Sequence, residues 1–289
     1  MGSTDAPPNA FTVDVEDYFH VAALSDAIKR SDWGNYTPRV ENNTRRLLEI
    51  FDAHDVHATF FVLGWVAERF PQLVRQIHGQ GHEVACHGMS HRMIYDQSVD
   101  DFRQETIRSK ELLEQTIGAP VEGYRAASYS ITKQSLWALD IIIEAGFRYD
   151  SSIFPVHHDL YGIPGSERIP HRLKTDSGGA ISEFPPSTVR VLGQNIPVGG
   201  GGYFRLYPYR LTRYFLRHVN DRLGSPFMFY VHPWEIDADQ PRVAAKLTSR
   251  FRHYLNLDKC EMRLEQLLND FRFDTVKKVL ADLDLLEAR

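Results

Sequence analysis

Two histidines four positions apart, His87 and His91, end the run Gly81-His82-Glu83-Val84-Ala85-Cys86-His87-Gly88-Met89-Ser90-His91, just after a strand-like stretch. On one helical turn, side chains at i and i+4 share a face. Two imidazoles on one face can hold a divalent cation, with zinc–nitrogen distances of about 2.0–2.1 Å. Two ligands leave the shell incomplete, and the run Asp14-Val15-Glu16-Asp17 offers carboxylates to fill it. Alone, that run suits a solvated loop or a helix N-terminus as well. Beside the histidine pair, a metal centre explains it better. Two histidines, one carboxylate and water make an open catalytic zinc shell, which frees a second carboxylate to act as general base. Cys86 lies next to His87 but points to the opposite side of a strand, which favours packing over ligation.

The elements that must position these groups follow from apolar patterning. Ala10–Val15, Ala58–Leu63, His82–Cys86, Glu122–Arg125, Phe147–Asp150 and Phe227–His232 read as strands. Helices are expected over Glu41–His54, Trp65–Gly79, 98–117 and Gln134–Ala145, and later over Met262–Leu268 and Phe273–Leu283. Strands alternating with helices predict a parallel sheet, and at 289 residues its economical closure is a (β/α) barrel. Asp14 to Asp17, His87, Arg125, Asp150 and His232 then fall at strand C-terminal ends, where barrel enzymes do their chemistry.

The ordered motifs carry a resemblance. Thr12-Val13-Asp14-Val15-Glu16-Asp17, His87-x-x-x-His91, Gly123-Tyr124-Arg125-Ala126-Ala127-Ser128-Tyr129 and Tyr230-Val231-His232 resemble, in that order, the polysaccharide deacetylases of carbohydrate esterase family 4. Asp150-Ser151-Ser152-Ile153-Phe154-Pro155 and His232-Pro233-Trp234-Glu235-Ile236-Asp237 are similar to a subgroup associated with bacterial exopolysaccharide and exosortase systems. The resemblance implies a distorted (β/α) barrel of about seven units. It implies metal-assisted hydrolysis of N-acetyl (sometimes O-acetyl) groups on a glycan or its lipid-linked precursor. It also implies Asp14 as base, His87 and His91 as ligands, Arg125 as support for the base and His232 as the acid that protonates the leaving amine. Zinc is the expected metal, with cobalt, nickel or iron as alternatives. A backbone N–H near Tyr129 is the implied oxyanion donor.

Three departures from the family pattern leave choices open. The acidic run is spaced out, so either Glu16 or Asp17 completes the shell. Strand alternation puts Glu16 on the side of Asp14, whereas residue type favours Asp17, the choice preferred here. The usual prolines after the arginine are Ala126 and Ala127. Asp150 and Glu235 both compete to support His232, and Trp234 is a candidate wall of the acetyl pocket. Gly201, in the run Gly199–Gly202, and Tyr203 are candidate sugar contacts, against a flexible loop and ordinary packing. His157-His158 reads as an exposed loop rather than a second metal site.

Two other functions compete: hydrolysis of a small cyclic amide or imide on the same fold, and glycan binding without catalysis. Composition sets outer limits. Hydrophobic residues are 43%, charged residues 25% and the net charge −5, which gives no basic footprint for nucleic acid. Two cysteines make no disulfide framework. No stretch approaches the roughly 20 apolar residues of a membrane span, and the first nine residues hold no apolar signal core, so a cytoplasmic protein is expected. Residues 1–9 read as a disordered tail or cloning remnant. Residues 10–289 read as one barrel, with 156–204 as an insertion over the rim and 250–289 as a helical C-terminal extension. Oligomeric state is not legible.

Overall fold

A computed structural model describes residues 8–286. The expected tail therefore lies mostly outside the described residues, and Asn9 already belongs to the first strand. The chain runs through β1 (Asn9–Val15), α1 (Val40–Ala53), β2 (Thr59–Val62), α2 (Gly64–Arg69), α3 (Pro71–Gly79) and β3 (Glu83–Cys86). It continues through α4 (Val99–Ile117), β4 (Gly123–Tyr124), α5 (Ala138–Glu144) and β5 (Tyr149–Asp150). After the hairpins β6 (His171–Lys174)–β7 (Ala180–Glu183) and β8 (Thr188–Val191)–β9 (Gln194–Pro197) come α6 (Gly201–Leu206), α7 (Tyr209–Leu223) and β10 (Met228–Val231). The end is α8 (Leu247–Tyr254), α9 (Cys260–Asp270), β11 (Phe273–Asp274) and α10 (Val276–Asp282). Among the described residues no helix is long and apolar enough to cross a membrane.

The main sheet has the order β10-β1-β2-β3-β4-β5-β7-β6, parallel from β10 to β7 and antiparallel only at β6. Its two faces carry different side chains. Val13, Val15, Phe60, Val62, Val84 and Cys86 pack outward beneath the helices. The alternate positions Ala10, Phe61, Ala85, Tyr149 and Met228 face inward onto Val276, Val279 and Leu280 of α10, which plugs the floor. Gly123 is glycine because a Cβ there would stand 2.0 Å from the Tyr149 ring.

Local signals explain the helices that support this sheet. Ser98 accepts a hydrogen bond from Asp101 N at 3.1 Å to start α4, and Gly118 at φ +69° ends it. The expected single helix from Trp65 to Gly79 is two. Pro71 drives the preceding Phe70 out of helical geometry (φ −128°, ψ 54°) and begins a new helix.

The insertion is corrected in part. β7 lies in the main sheet beside β5, with Tyr149 opposite Ser182 and Asp150 opposite Glu183, so 156–204 contains a barrel strand. Gly199 and Gly200 lie against β10, and Tyr230 N donates to Gly199 O at 2.8 Å. The expected C-terminal extension also returns to the sheet. β11 pairs with Asn9 and Ala10 of β1, so Phe273 and Asp274 are strand rather than helix.

Candidate active site

Parallel register brings the chemistry to one edge. His87 N donates to Val62 O, Arg125 N to Cys86 O and Ser151 N to Tyr124 O, each one residue past its strand. Asp14 and Glu16 point inward by alternation, and His232 follows β10 on the other side of β1.

Glu16, His87 and His91 each offer one ligand atom, and these atoms lie within 4.8 Å of one another, all buried. Glu16 Oε2 and His91 Nε2 stand 2.8 Å apart, yet neither has an aligned hydrogen-bond partner. Two buried polar atoms that face a common space rather than each other suit a cation between them. His87 Nδ1 is 2.9 Å from the Arg125 carbonyl, to which it donates as neutral imidazole, leaving Nε2 as the free lone pair. Burial pushes the His87 pKa down to about 4, so the ring is neutral, as ligation requires. The donor set therefore fits a divalent metal.

The histidines do not meet on a helix. The segment from His87 to His91 is a loop turned by Gly88 at φ +73° and His91 at φ +51°. The preference for Asp17 gives way to Glu16. Asp17 Oδ1 accepts from Tyr18 N at 2.9 Å, and Oδ2 accepts from Arg39 N at 2.7 Å and Val40 N at 2.9 Å. That carboxylate is committed to anchoring the chain after β1. Cys86 is likewise turned away, 3.1 Å from Ser109 Oγ.

Asp14 is held by Arg125, whose Nη1 donates to Asp14 Oδ1 at 2.6 Å and to Thr12 Oγ1 at 2.9 Å. Arg125 is wholly buried, with Nη2 on Ser151 Oγ at 2.9 Å and its guanidinium carbon 3.9 Å from the Phe61 ring centroid. His232 faces the acids from the opposite side. Its Nε2 lies 3.2 Å from Glu16 Oε1 and 3.9 Å from Asp14 Oδ2, and its Nδ1 lies 3.1 Å from Glu235 Oε2. Burial alone would lower the His232 pKa, but Glu235, Glu16 and Asp14 hold it up at about 9.

Glu235, not Asp150, meets His232. Asp150 is occupied by Ser152, whose Oγ donates at 2.6 Å, and it lies beside Glu183. Behind Glu235 stands Arg205, whose Nε donates to Glu235 Oε1 at 2.7 Å while Nη1 donates to the His253 and Leu255 carbonyls. Burial would raise Glu235, but Arg205 and then His232 bring it down to about 2. Sequence reasoning missed Arg205. It lies 30 residues from Glu235 in a short helix, and no local pattern marks it.

The remaining candidates serve mainly as walls. Trp234 is buried and stacked between His232 and His253, with centroids at 5.1 and 4.3 Å, so it backs the imidazole. Tyr129 packs on Tyr230 at 5.3 Å, and its own N–H already donates to Ala126 O at 3.1 Å, which removes it as an oxyanion donor. At Gly201 a Cβ would meet the Tyr230 hydroxyl at 2.6 Å, and at Gly200 it would stand 2.0 Å from Tyr230 O. These glycines let the chain pack closely against Tyr230. Tyr203 is half-buried, 6.0 Å from the Tyr207 ring. His158 stacks on Tyr161 at 3.9 Å while His157 is exposed, as a loop reading expects.

Residues 32–149 match the polysaccharide deacetylase family model, and residues 151–281 match DUF3473, a domain of unknown function. A peptidoglycan-N-acetylglucosamine deacetylase of Bacillus cereus is 33% identical over 98 residues, 34% of this chain and 36% of that protein. The chain thus aligns with about a third of that curated relative's length. The crystal structure of a candidate polysaccharide deacetylase from Mycobacterium smegmatis superposes with a TM-score of 0.63 at 18% identity, covering 99% of this chain and 95% of that one. An allantoinase superposes at 0.56 with 15% identity, covering 94% and 91%. At these identities the two structures share the fold. Residues 32–149 thus resemble the polysaccharide deacetylase family, within a fold that the Mycobacterium smegmatis structure shares over the full length.

Proposed function

We propose that this protein is a metal-dependent glycan N-deacetylase, a hydrolase of the acetamide C–N bond. The observation that carries this reading is the Glu16–His87–His91 triad with Asp14 and His232 beside it, each buttressed by its own buried arginine system. A bound divalent cation, zinc by its ligands, supplies Lewis acidity toward the acetyl carbonyl and toward water. The side chains do the rest. Asp14 is the base that takes a proton from the attacking water, with Arg125 fixing its orientation through Oδ1 and leaving Oδ2 free. The tetrahedral carbon then carries an amine that leaves poorly until protonated. His232, kept protonated at neutral pH by Glu235, Glu16 and Asp14, gives that proton to the nitrogen. Trp234 and Glu235 hold the imidazole in place while it does so.

The substrate class comes from the relative named a peptidoglycan-N-acetylglucosamine deacetylase. An N-acetylated bacterial polysaccharide or its lipid-linked precursor, within exopolysaccharide biosynthesis, is the substrate proposed. Acetate release from chitooligosaccharides, with metal content measured in parallel, tests this. The double variant His87→Ala/His91→Ala loses both metal and activity on this reading, and full acetate release by that variant would overturn it. Ring-opening of a hydantoin without acetate release would favour a cyclic-amide substrate instead.

A further inference from the structure

A cavity of about 800 Å³ opens in the half of the chain after β5, between the loop that follows Phe154 and the β8–β9 hairpin. Its size is that of a ligand site. Two packed side chains link it to the active centre: Val156 lines it and packs with Tyr129 and Tyr230, and the Tyr230 ring lies 5.8 Å from His232. Arg168 and Arg190 line it against a single acid, Glu167. Neither guanidinium has an ion pair or hydrogen bond among the described residues. Tyr203 and Tyr207 add ring faces and hydroxyls to the wall. Unpaired guanidinium forks recognise carboxylate or phosphate, and aromatic faces take the apolar side of a sugar ring.

We propose that this cavity binds an anionic segment of the glycan, so that the substrate is an acidic, N-acetylated chain rather than a neutral one. The inference rests on the glycan deacetylase reading for its context. Titration of the zinc-loaded protein with hyaluronan hexasaccharide, which alternates N-acetylglucosamine with glucuronate, and with chitohexaose tests it. Hyaluronan binds more tightly, by on the order of tenfold at low ionic strength, and the difference shrinks as salt is added. Arg168→Ala with Arg190→Ala removes the difference, and Glu167→Gln enlarges it. Unchanged melting midpoints show that these variants fold. Competition by glucuronate identifies a carboxylate site and competition by inorganic pyrophosphate a phosphate site; failure of both overturns the inference. Equal affinity for the two oligosaccharides, or a hyaluronan preference that survives the double variant, also overturns it. Charge-dependent binding without acetate release from any oligosaccharide would instead sink the deacetylase reading and leave the cavity assignment standing.

Discussion

Replacing Glu235 by glutamine keeps the shape of the Arg205–Glu235–His232 relay and removes its one negative charge. The carboxyl moves from its ordinary 4.5 to about 2 in the folded protein, held there against the cost of burial by Arg205 and His232. A folded value below the unfolded one means that the unfolded chain binds the proton more readily. The stabilisation is therefore complete above pH 4.5, declines as pH falls, and is gone below about 2. A displacement of that size corresponds to about 3 kcal/mol at neutral pH. The raised value of His232, about 9, is partly the same contact seen from its other partner and is not added to it. Urea denaturation of wild type and Glu235→Gln across pH measures the effect. The variant should be about 3 kcal/mol less stable at pH 7, with the gap closing between pH 4.5 and 2, because protonated glutamate and glutamine are then alike. The His232 pKa should fall with it, moving the alkaline limb of the pH–rate profile toward neutrality. A variant as stable as wild type at pH 7 would refute the relay.

Four further outcomes follow from individual contacts. Glu16→Gln should weaken metal affinity by equilibrium dialysis at least as much as the roughly 10–100-fold that losing an outer partner costs, whereas Asp17→Asn should leave the metal stoichiometry intact. Asp17→Asn should instead cost about 1–3 kcal/mol of stability in chemical denaturation, since an amide serves the Tyr18, Arg39 and Val40 N–H groups less well than a carboxylate. Gly200→Ala should lower stability by more than 3 kcal/mol or abolish soluble expression, because the residue sits at φ +123° with Tyr230 O in the way of a Cβ. Dialysis against a chelator should lower the melting temperature and zinc should restore it, an effect absent from the Glu16→Gln variant at low zinc.

Much of the site was legible because its residues sit beside strong strands. Alternation along β1 placed Glu16 with Asp14, and the structure follows alternation where residue-type matching pointed to Asp17. Residue type misled because Asp17 has a backbone task, and the Arg39 and Val40 amides it serves lie 22 and 23 residues away. The i, i+4 spacing of His87 and His91 identified a convergent pair, but helical geometry was the wrong reason. Two left-handed residues in a loop bring the rings to 5.4 Å. β7 was hidden because Ala180–Glu183 is short and mixed in polarity, and its place in the main sheet comes from parallel pairing with the distant β5.

The two family matches divide the chain near residue 150, yet neither the sheet nor the site divides there. β7, β10 and β11 belong to the second match and pair with β5 and β1 of the first half, so the barrel has no cooperative boundary at that point. The candidate metal ligands Glu16, His87 and His91 come from the first half, while His232, Glu235 and Arg205 all come from the second. His232 reaches back across β1 to lie 3.2 Å from Glu16 Oε1. Cutting the chain after Asp150 would leave Arg125 without Ser151 Oγ and Met228, and β1 without both β10 and β11. A fragment ending there would expose the Phe11 and Val13 face and present unpaired strand edges, which predicts aggregation rather than a folded, metal-binding half. The region matched as a domain of unknown function is thus the second half of one continuous sheet. On the proposed mechanism, its part is to hold the proton donor His232 against the acids of the first.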